Sequence, residues 1–169
     1  MVSVLWIALA LIALQRVWTL AYAKRNTTRL LKEGAVEAGA IQFPLIALLQ
    51  AAWLASMALF IPASTPPVWW LLGVCAAIEI AHVWIILTLG KYWTTRVVTV
   101  PGAPLVRGGA YGIFRHPNYL AVIAQIALLP LVFHAYVISV VFAVLYAALI
   151  TWRIRVEDAL LEPDRTLSS

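Results

Sequence analysis

Residues 118–152 read NYLAVIAQIALLPLVFHAYVISVVFAVLYAALITW, an apolar block without Asp, Glu, Lys or Arg. A membrane-spanning helix needs about 20 residues, so the block is too long for one span and too short for two full spans. Its most polar point lies at His134, just after Pro130. We predict two short or tilted helices that form a hairpin with its turn near His134. Short helices are tolerated at membrane depth where they line a cavity, so a cavity is also expected.

Three further apolar segments precede this block, at residues 2–23, 41–61 and 68–89. Of the 169 residues, 64% are hydrophobic and 11% are charged, whereas soluble domains carry about 25% charged residues. A soluble fold is therefore excluded, and the long apolar runs are typical of membrane spans. We predict an all-α polytopic membrane protein with about five transmembrane helices, the last two a short helical hairpin, and a cytoplasmic C-terminal helix.

The chain is expected to form one integral membrane domain over residues 1–169. Residues 1–90 supply three N-terminal spans, and residues 91–169 supply a polar loop, the hairpin and the C-terminal helix. The single cysteine, Cys75, excludes an internal disulfide and a cysteine-rich zinc cluster, and we assign it to packing. No metal site is predicted.

The basic residues predict the orientation in the membrane. All Lys and Arg residues except Arg16 lie in segments 24–32, 91–117 and 151–169. Because basic loops face the cytoplasm, we expect the N-terminus outside and the C-terminus inside. Arg16 lies near the end of the first apolar segment, from which its side chain can snorkel to the interface. This distribution also accounts for the net charge of +5, so no nucleic-acid partner is predicted.

Two polar segments flank the hairpin and should meet at its cytoplasmic mouth. The first contains Gly109-Ala-Tyr111 and Arg115-His-Pro-Asn-Tyr119, and the second contains Arg153-x-x-x-Glu157. This pattern resembles the isoprenylcysteine carboxyl methyltransferase family, over roughly residues 85–162. The resemblance implies a membrane methyltransferase that binds S-adenosylmethionine from the cytoplasm and takes a hydrophobic acceptor from the lipid bilayer. The cofactor-binding residues that it implies are Arg96, Pro104, Leu105, Val106, Tyr111, His116, Pro117, Asn118, Tyr119 and Glu157.

The residue types agree with such a cofactor, which carries a sulfonium, an ammonium and a carboxylate. Tyrosine rings can face a cation, and Glu157 would supply an anion one helical turn from Arg153. The resemblance implies that Arg153 faces the anionic group of the substrate. Arg153 and His116 are the catalytic candidates. His116 would act as a base if the acceptor were a phenol or an enol. Alternatively, Arg153 and Glu157 are a surface pair, and His116 is a loop residue before a proline.

Other positions look more like a bacterial branch of the family found beside type III polyketide synthases. These are the Lys91-Tyr-Trp-Thr-Thr-Arg96 stretch and the hairpin around Pro130 and His134. Ala103 stands where carboxyl methyltransferases have His. The resemblance implies O-methylation of an alkylpyrone or phenolic lipid in a bacterial cytoplasmic membrane. The alternatives are methyl esterification of a prenylated cysteine and, from another class, a small membrane transporter or scaffold.

Two ionisable residues, Glu79 and His82, lie deep in the third apolar segment on one helix face. Ionisable groups within spans are candidates for function, because burying them unpaired is costly. We predict that both join Arg153 in binding the acceptor. The alternative is a structural pair with Arg16 or Gln50 of neighbouring spans, and in a transporter the two residues would mark the translocation path.

Overall fold

Five α-helices make up most of the described chain. The computed structural model describes residues 3–38, 42–95, 97–99, 109–114 and 116–166, with side chains for all of these except 36–38, 42, 97–99 and 156–166. The helices are α1 (Val4–Lys32), α2 (Gln42–Phe60), α3 (Trp69–Leu89), α4 (Pro117–Val132) and α5 (Tyr136–Thr166). All but α4 contain a stretch long and apolar enough to cross a membrane. The chain is an all-α polytopic integral membrane protein, as the sequence predicted.

Helix α1 is longer than its apolar segment. It begins where the Ser3 side chain accepts a hydrogen bond from the Leu5 amide at 3.2 Å, a common N-terminal cap. The basic stretch 24–32, which we expected to be a loop, forms its last turns. No Gly or Pro interrupts α1 before Gly34, whose φ of +88° follows the helix end. Basic residues in a last turn also interact favourably with the helix dipole.

The hairpin turns where it was predicted. Residue His134 has a φ of +58°, and the amide of Ala135 donates to the Pro130 carbonyl at 2.9 Å. The Ser139 hydroxyl then ties α5 back to α4 through the Ala127 carbonyl at 2.6 Å. Of the two hairpin helices only α4 is short. Helix α5 is long because no Gly or Pro interrupts residues 136–162. The expected C-terminal helix is therefore a direct extension of α5.

A short antiparallel ribbon accompanies the helices. Strand β1 (Val36–Ala38) pairs with β2 (Val97–Thr99), with Val36 opposite Thr99. The ribbon joins the segment after α1 to the loop after α3, and its three-residue strands were not predicted from the sequence.

Helix α4 packs mainly between α3 and α5. The core beneath it includes Trp53 and Met57 of α2, both fully buried, and Cys75 is buried in the same cluster. With 16 residues, α4 covers about 24 Å, less than the hydrocarbon thickness of about 30 Å. The short helix leaves space at its N-terminal end, next to His116.

The loop after α3 is fixed against α1. The Asn26 side-chain amide donates to the carbonyls of Gly90 and Trp93, both at 2.9 Å. Asn26 is buried, and Trp93 packs against Ala23 and Ile86. These contacts hold residues 90–93 against α1 and α3.

We expect Gly109→Ala to destabilise the protein more than Gly34→Ala. Both glycines have positive φ, which costs other residues about 1–2 kcal/mol. A Cβ on Gly109 would also lie 3.2 Å from side-chain carbons of Thr88 and Trp84, whereas a Cβ on Gly34 would meet nothing within 4 Å. Thermal unfolding in detergent measures the difference. Equal losses would show that the turn at Gly109–Gly112 is not packed on α3.

Candidate functional site

A cavity of about 520 Å³ lies among the helices, beneath the loop that follows α3. Its volume falls within the range of small-molecule sites, about 300–1,000 Å³. All five helices contribute to its wall, and so do residues 92–95 and Tyr111. The cavity expected from the short hairpin is therefore present, and it is where the two predicted polar segments meet.

Arg153 and Tyr119 form the centre of the site. The Arg153 Nε donates a hydrogen bond to the Tyr119 hydroxyl at 2.8 Å, and the Tyr119 ring stacks on His116 with ring centroids 5.5 Å apart. All three residues line the cavity. Arg153 is only 5% exposed, so the alternative of a solvated surface pair does not hold for this residue. The hairpin brings its two flanking segments together.

His116 and Pro117 begin α4. His116 is the N-terminal cap, with φ −134° and ψ 60°, and Pro117 occupies the start of the first turn. Proline suits that position because the amide hydrogen it lacks would have no partner within the helix. Pro117 is buried and does not line the cavity, whereas Asn118 and Tyr119 do. The local fold thus turns the polar side chains of the motif toward the cavity.

His82 reaches the site from α3. Its Nε2 lies 2.9 Å from the Asn118 Oδ1, and its Nδ1 lies 3.4 Å from the Gln15 Nε2. Since an amide nitrogen can only donate, Nδ1 accepts and the proton is on Nε2, which donates to Asn118. The amide nitrogen of Asn118 is then the end that can donate to a ligand. His82 lines the cavity, and its contact with an acceptor stays a prediction.

Glu79 lies outside the cavity wall. Both of its carboxylate oxygens are buried without a hydrogen-bond partner among the described residues. Its electrostatic partner is Arg16 of α1. The position of Glu79 therefore favours the structural alternative over contact with an acceptor, whereas His82, three residues later, lies on the wall.

The structure adds polar wall residues that the sequence reasoning did not assign to the site. Arg16, expected to snorkel toward an interface, turns inward instead, donates to the Gln125 side-chain carbonyl of α4 and lines the cavity. Tyr146 of α5 is 3% exposed, and its hydroxyl accepts a hydrogen bond from Gln50 at 3.1 Å. Isolated polar residues in apolar segments usually face the protein interior. This signal could have identified Arg16, Gln50, Gln125 and Tyr146 as interior residues.

Part of the predicted cofactor site lies outside the described residues. This applies to Arg96, Pro104, Leu105 and Val106. The backbone of Glu157 belongs to α5, one turn beyond Arg153, but its side chain is outside the described part.

Comparisons with known proteins show the family to which the chain belongs. The family model for the isoprenylcysteine carboxyl methyltransferase (ICMT) family matches residues 71–163, more than half of the chain. The chain is also 36% identical over 162 residues to the uncharacterized protein YpbQ of Bacillus subtilis (strain 168), covering 93% of this chain and 96% of that protein. No solved structure matches. The family match covers α4, most of α3 and the part of α5 that includes Arg153. The chain belongs to the ICMT family of membrane methyltransferases.

Proposed function

We propose that the protein is an S-adenosylmethionine-dependent O-methyltransferase of a hydrophobic, lipid-like acceptor. One observation carries this proposal: His116, Asn118, Tyr119 and Arg153, which the hairpin separates in sequence, line one cavity. The hydrogen bond between Tyr119 and Arg153 links the two segments directly. Convergence of a family motif on one cavity is what a two-substrate enzyme requires.

The described residues fit the proposed cofactor. Its carboxylate needs a donor, which the Asn118 amide provides, and its sulfonium favours aromatic faces, which Tyr111 and Tyr119 provide. We propose Glu157 as the partner of its ammonium group, since α5 places that residue one turn beyond Arg153. Pro117, Arg96, Pro104, Leu105 and Val106 complete the proposed set.

The main task of the protein in this reaction is positioning. When bound, the cofactor supplies an electrophilic methyl group on a sulfonium. The protein holds the acceptor oxygen in line with that methyl and excludes water, and alignment of this kind accelerates reactions strongly. Arg153 orients the acceptor's polar head. An acceptor that arrives ionised needs no base, and one that arrives protonated would lose its proton to His116.

The acceptor tail fits the membrane-facing part of the cavity. Apolar side chains of α1 and α2 line this part, among them Val17, Leu20, Ile46 and Leu54. We propose that the acceptor enters sideways from the bilayer. Asn26, in the basic end of α1, donates hydrogen bonds to Gly90 and Trp93, and residues 92–95 line the cavity. Because basic segments face the cytoplasm, we propose that the cofactor enters at this end, with the C-terminus inside.

The acceptor is proposed to be an alkylpyrone or a phenolic lipid. Methyl esterification of a prenylated cysteine would use the same cavity and the same Arg153. A transporter or scaffold would not need the cofactor at all. Binding and product assays therefore separate the three functions.

The decisive test is calorimetry of S-adenosylhomocysteine binding to the purified protein in detergent, followed by transfer of labelled methyl. The acceptor panel contains 4-hydroxy-6-undecyl-2-pyrone, a long-chain phenol and N-acetyl-S-farnesylcysteine. We expect S-adenosylhomocysteine to bind and label to appear in one of the first two acceptors. Absence of binding by protein that shows cooperative thermal unfolding would overturn the proposed function, and label in the farnesylcysteine alone would select the esterification.

A further inference from the structure

Arg16 is a cation in the middle of a membrane-spanning helix. It lies on α1 and lines the cavity together with apolar neighbours such as Val17. Its guanidinium donates to Gln125, but its Nε is buried without a hydrogen-bond partner among the described residues. A cation at this depth is costly unless it is paired or functional. The Nε–H of Arg16 can therefore still donate a hydrogen bond to a ligand.

Tyr146 presents a second donor to the same space. Its hydroxyl oxygen accepts from Gln50 at 3.1 Å, so its own O–H proton can donate to a different group. Tyr146 interacts electrostatically with both Arg16 and Arg153. The hydroxyl therefore lies in the field of two guanidinium groups, and all three residues belong to the cavity wall.

No anionic side chain is among the described residues that line the cavity. Among the described residues that line the cavity, the charged ones are Arg16 and Arg153, and both are cations. Glu79 interacts with Arg16 from outside the wall. The proposed cofactor does not compensate for this charge, because its sulfonium and ammonium outnumber its carboxylate. An anion is the ligand that would complement this region.

We propose that Arg16 and the Tyr146 hydroxyl bind the ionised oxygen of the acceptor's head group within the membrane-embedded part of the cavity. This inference rests on the proposed function and narrows its substrate class to lipids whose head is an oxygen acid ionised at neutral pH. An acidic enol or a carboxylate meets that condition, whereas a simple phenol or alcohol does not.

The charge state of the acceptor determines the proton balance of the transfer. The ionised oxygen forms the new O–CH3 bond with its own electron pair, while the methyl–sulfur bond breaks and its pair goes to sulfur. No proton is released at this step. An oxyanion already held by Arg16 and Tyr146 would also lose its negative charge on methylation, so the neutral product binds more weakly and can return to the bilayer.

The competing explanation is that Arg16 only joins helices, through Gln125 and the charge of Glu79. If that were its role, replacing Arg16 would lower the stability of the protein and weaken the binding of every ligand equally. The two explanations differ in one measurable quantity, the preference of the cavity for an ionised head over the same head after methylation.

The test measures this preference by calorimetry in detergent with saturating S-adenosylhomocysteine. The probes are 4-hydroxy-6-undecyl-2-pyrone against its 4-methoxy ether, and N-acetyl-S-farnesylcysteine against its methyl ester. We expect the wild type to bind at least one ionised probe about tenfold or more tightly than its methylated partner, as is typical of charge-assisted hydrogen bonds. Arg16→Gln should remove most of that preference and leave affinity for the methylated probe unchanged.

Three further variants complete the experiment. Arg16→Lys keeps the cation and should keep most of the preference, and Tyr146→Phe keeps the shape and should reduce it about threefold to tenfold. Arg25→Gln, on the exposed face of α1, should change nothing. If Arg16→Gln does not fold, the other two variants test the inference: Arg16→Lys should keep the preference for the ionised probe, and Tyr146→Phe should reduce it.

The outcomes separate this inference from the proposed function. A wild type that binds S-adenosylhomocysteine but does not prefer either ionised probe overturns the inference alone. The same conclusion follows if the Arg16→Gln and Tyr146→Phe variants keep the preference, or if Arg16→Gln weakens both members of a pair equally. Failure of the wild type to bind S-adenosylhomocysteine overturns the proposed function itself.

Discussion

Replacing Arg153 with methionine is expected to lower kcat/KM for methyl transfer about 10²- to 10³-fold, as when a group that stabilises the transition state is lost. Methionine retains part of the side-chain length but removes the buried cation and its 2.8 Å hydrogen bond to Tyr119. The acceptor head then loses its orienting charge, and the Tyr119 ring loses the contact that helps to fix it against His116. Transfer of labelled methyl from S-adenosylmethionine measures the effect.

The matched control is Arg155→Met. Arg155 lies on the same helix, two residues away, and its side chain is exposed, so we expect wild-type kinetics. Tyr119→Phe should have an intermediate effect of about fivefold, because it removes only the neutral partner of the hydrogen bond. Equal losses for Arg153→Met and Arg155→Met would mean that the basic end of α5 acts by general electrostatics and not through the cavity.

The helices could be predicted from the sequence because the length of an apolar segment is a local property. The length of residues 118–152 and the polar point at His134 were enough to place the hairpin turn. The continuity of α5 was harder to predict, because Arg153 and Arg155 suggested the end of a span. Helical hydrogen bonding does not stop where the membrane stops, so the helix runs on past these residues.

The site could be predicted in part for a similar reason. The hairpin requires that its two ends meet, so the approach of Asn118 and Tyr119 to Arg153 followed from chain order. The direction of the Arg16 side chain could not be predicted in this way, because the sequence of one helix does not show how that helix is rotated in the bundle. Whether an arginine snorkels or turns inward depends on a partner in another helix, here Gln125.

The difference between Glu79 and His82 also depends on rotation. Residues three apart point about 60° away from each other around a helix. They share a broad face, yet a cavity wall can include one and exclude the other. In this bundle α4 approaches the side of α3 that carries His82, where Asn118 accepts its hydrogen bond.

His82 is expected to act on the cofactor through Asn118, as a positioning residue. In His82→Phe, the Asn118 Oδ1 loses its donor, and the amide is no longer held with its nitrogen toward the cavity. A buried polar group left without its partner costs about 1–3 kcal/mol, so we expect S-adenosylhomocysteine affinity to fall about 5- to 150-fold. Gln15→Leu should have a smaller effect, because its contact with His82 is long at 3.4 Å.

A double-mutant cycle with Asn118→Leu distinguishes this role from direct contact or general destabilisation. If His82 acts only by orienting Asn118, the double variant should bind S-adenosylhomocysteine no more weakly than Asn118→Leu alone, because no oriented amide remains to be lost. Additive losses would show that His82 contacts the ligand itself, since it also lines the cavity. Thermal unfolding of the same four proteins provides the second readout, because a structural role would lower the melting temperature of His82→Phe in either background, whereas a positioning role need not.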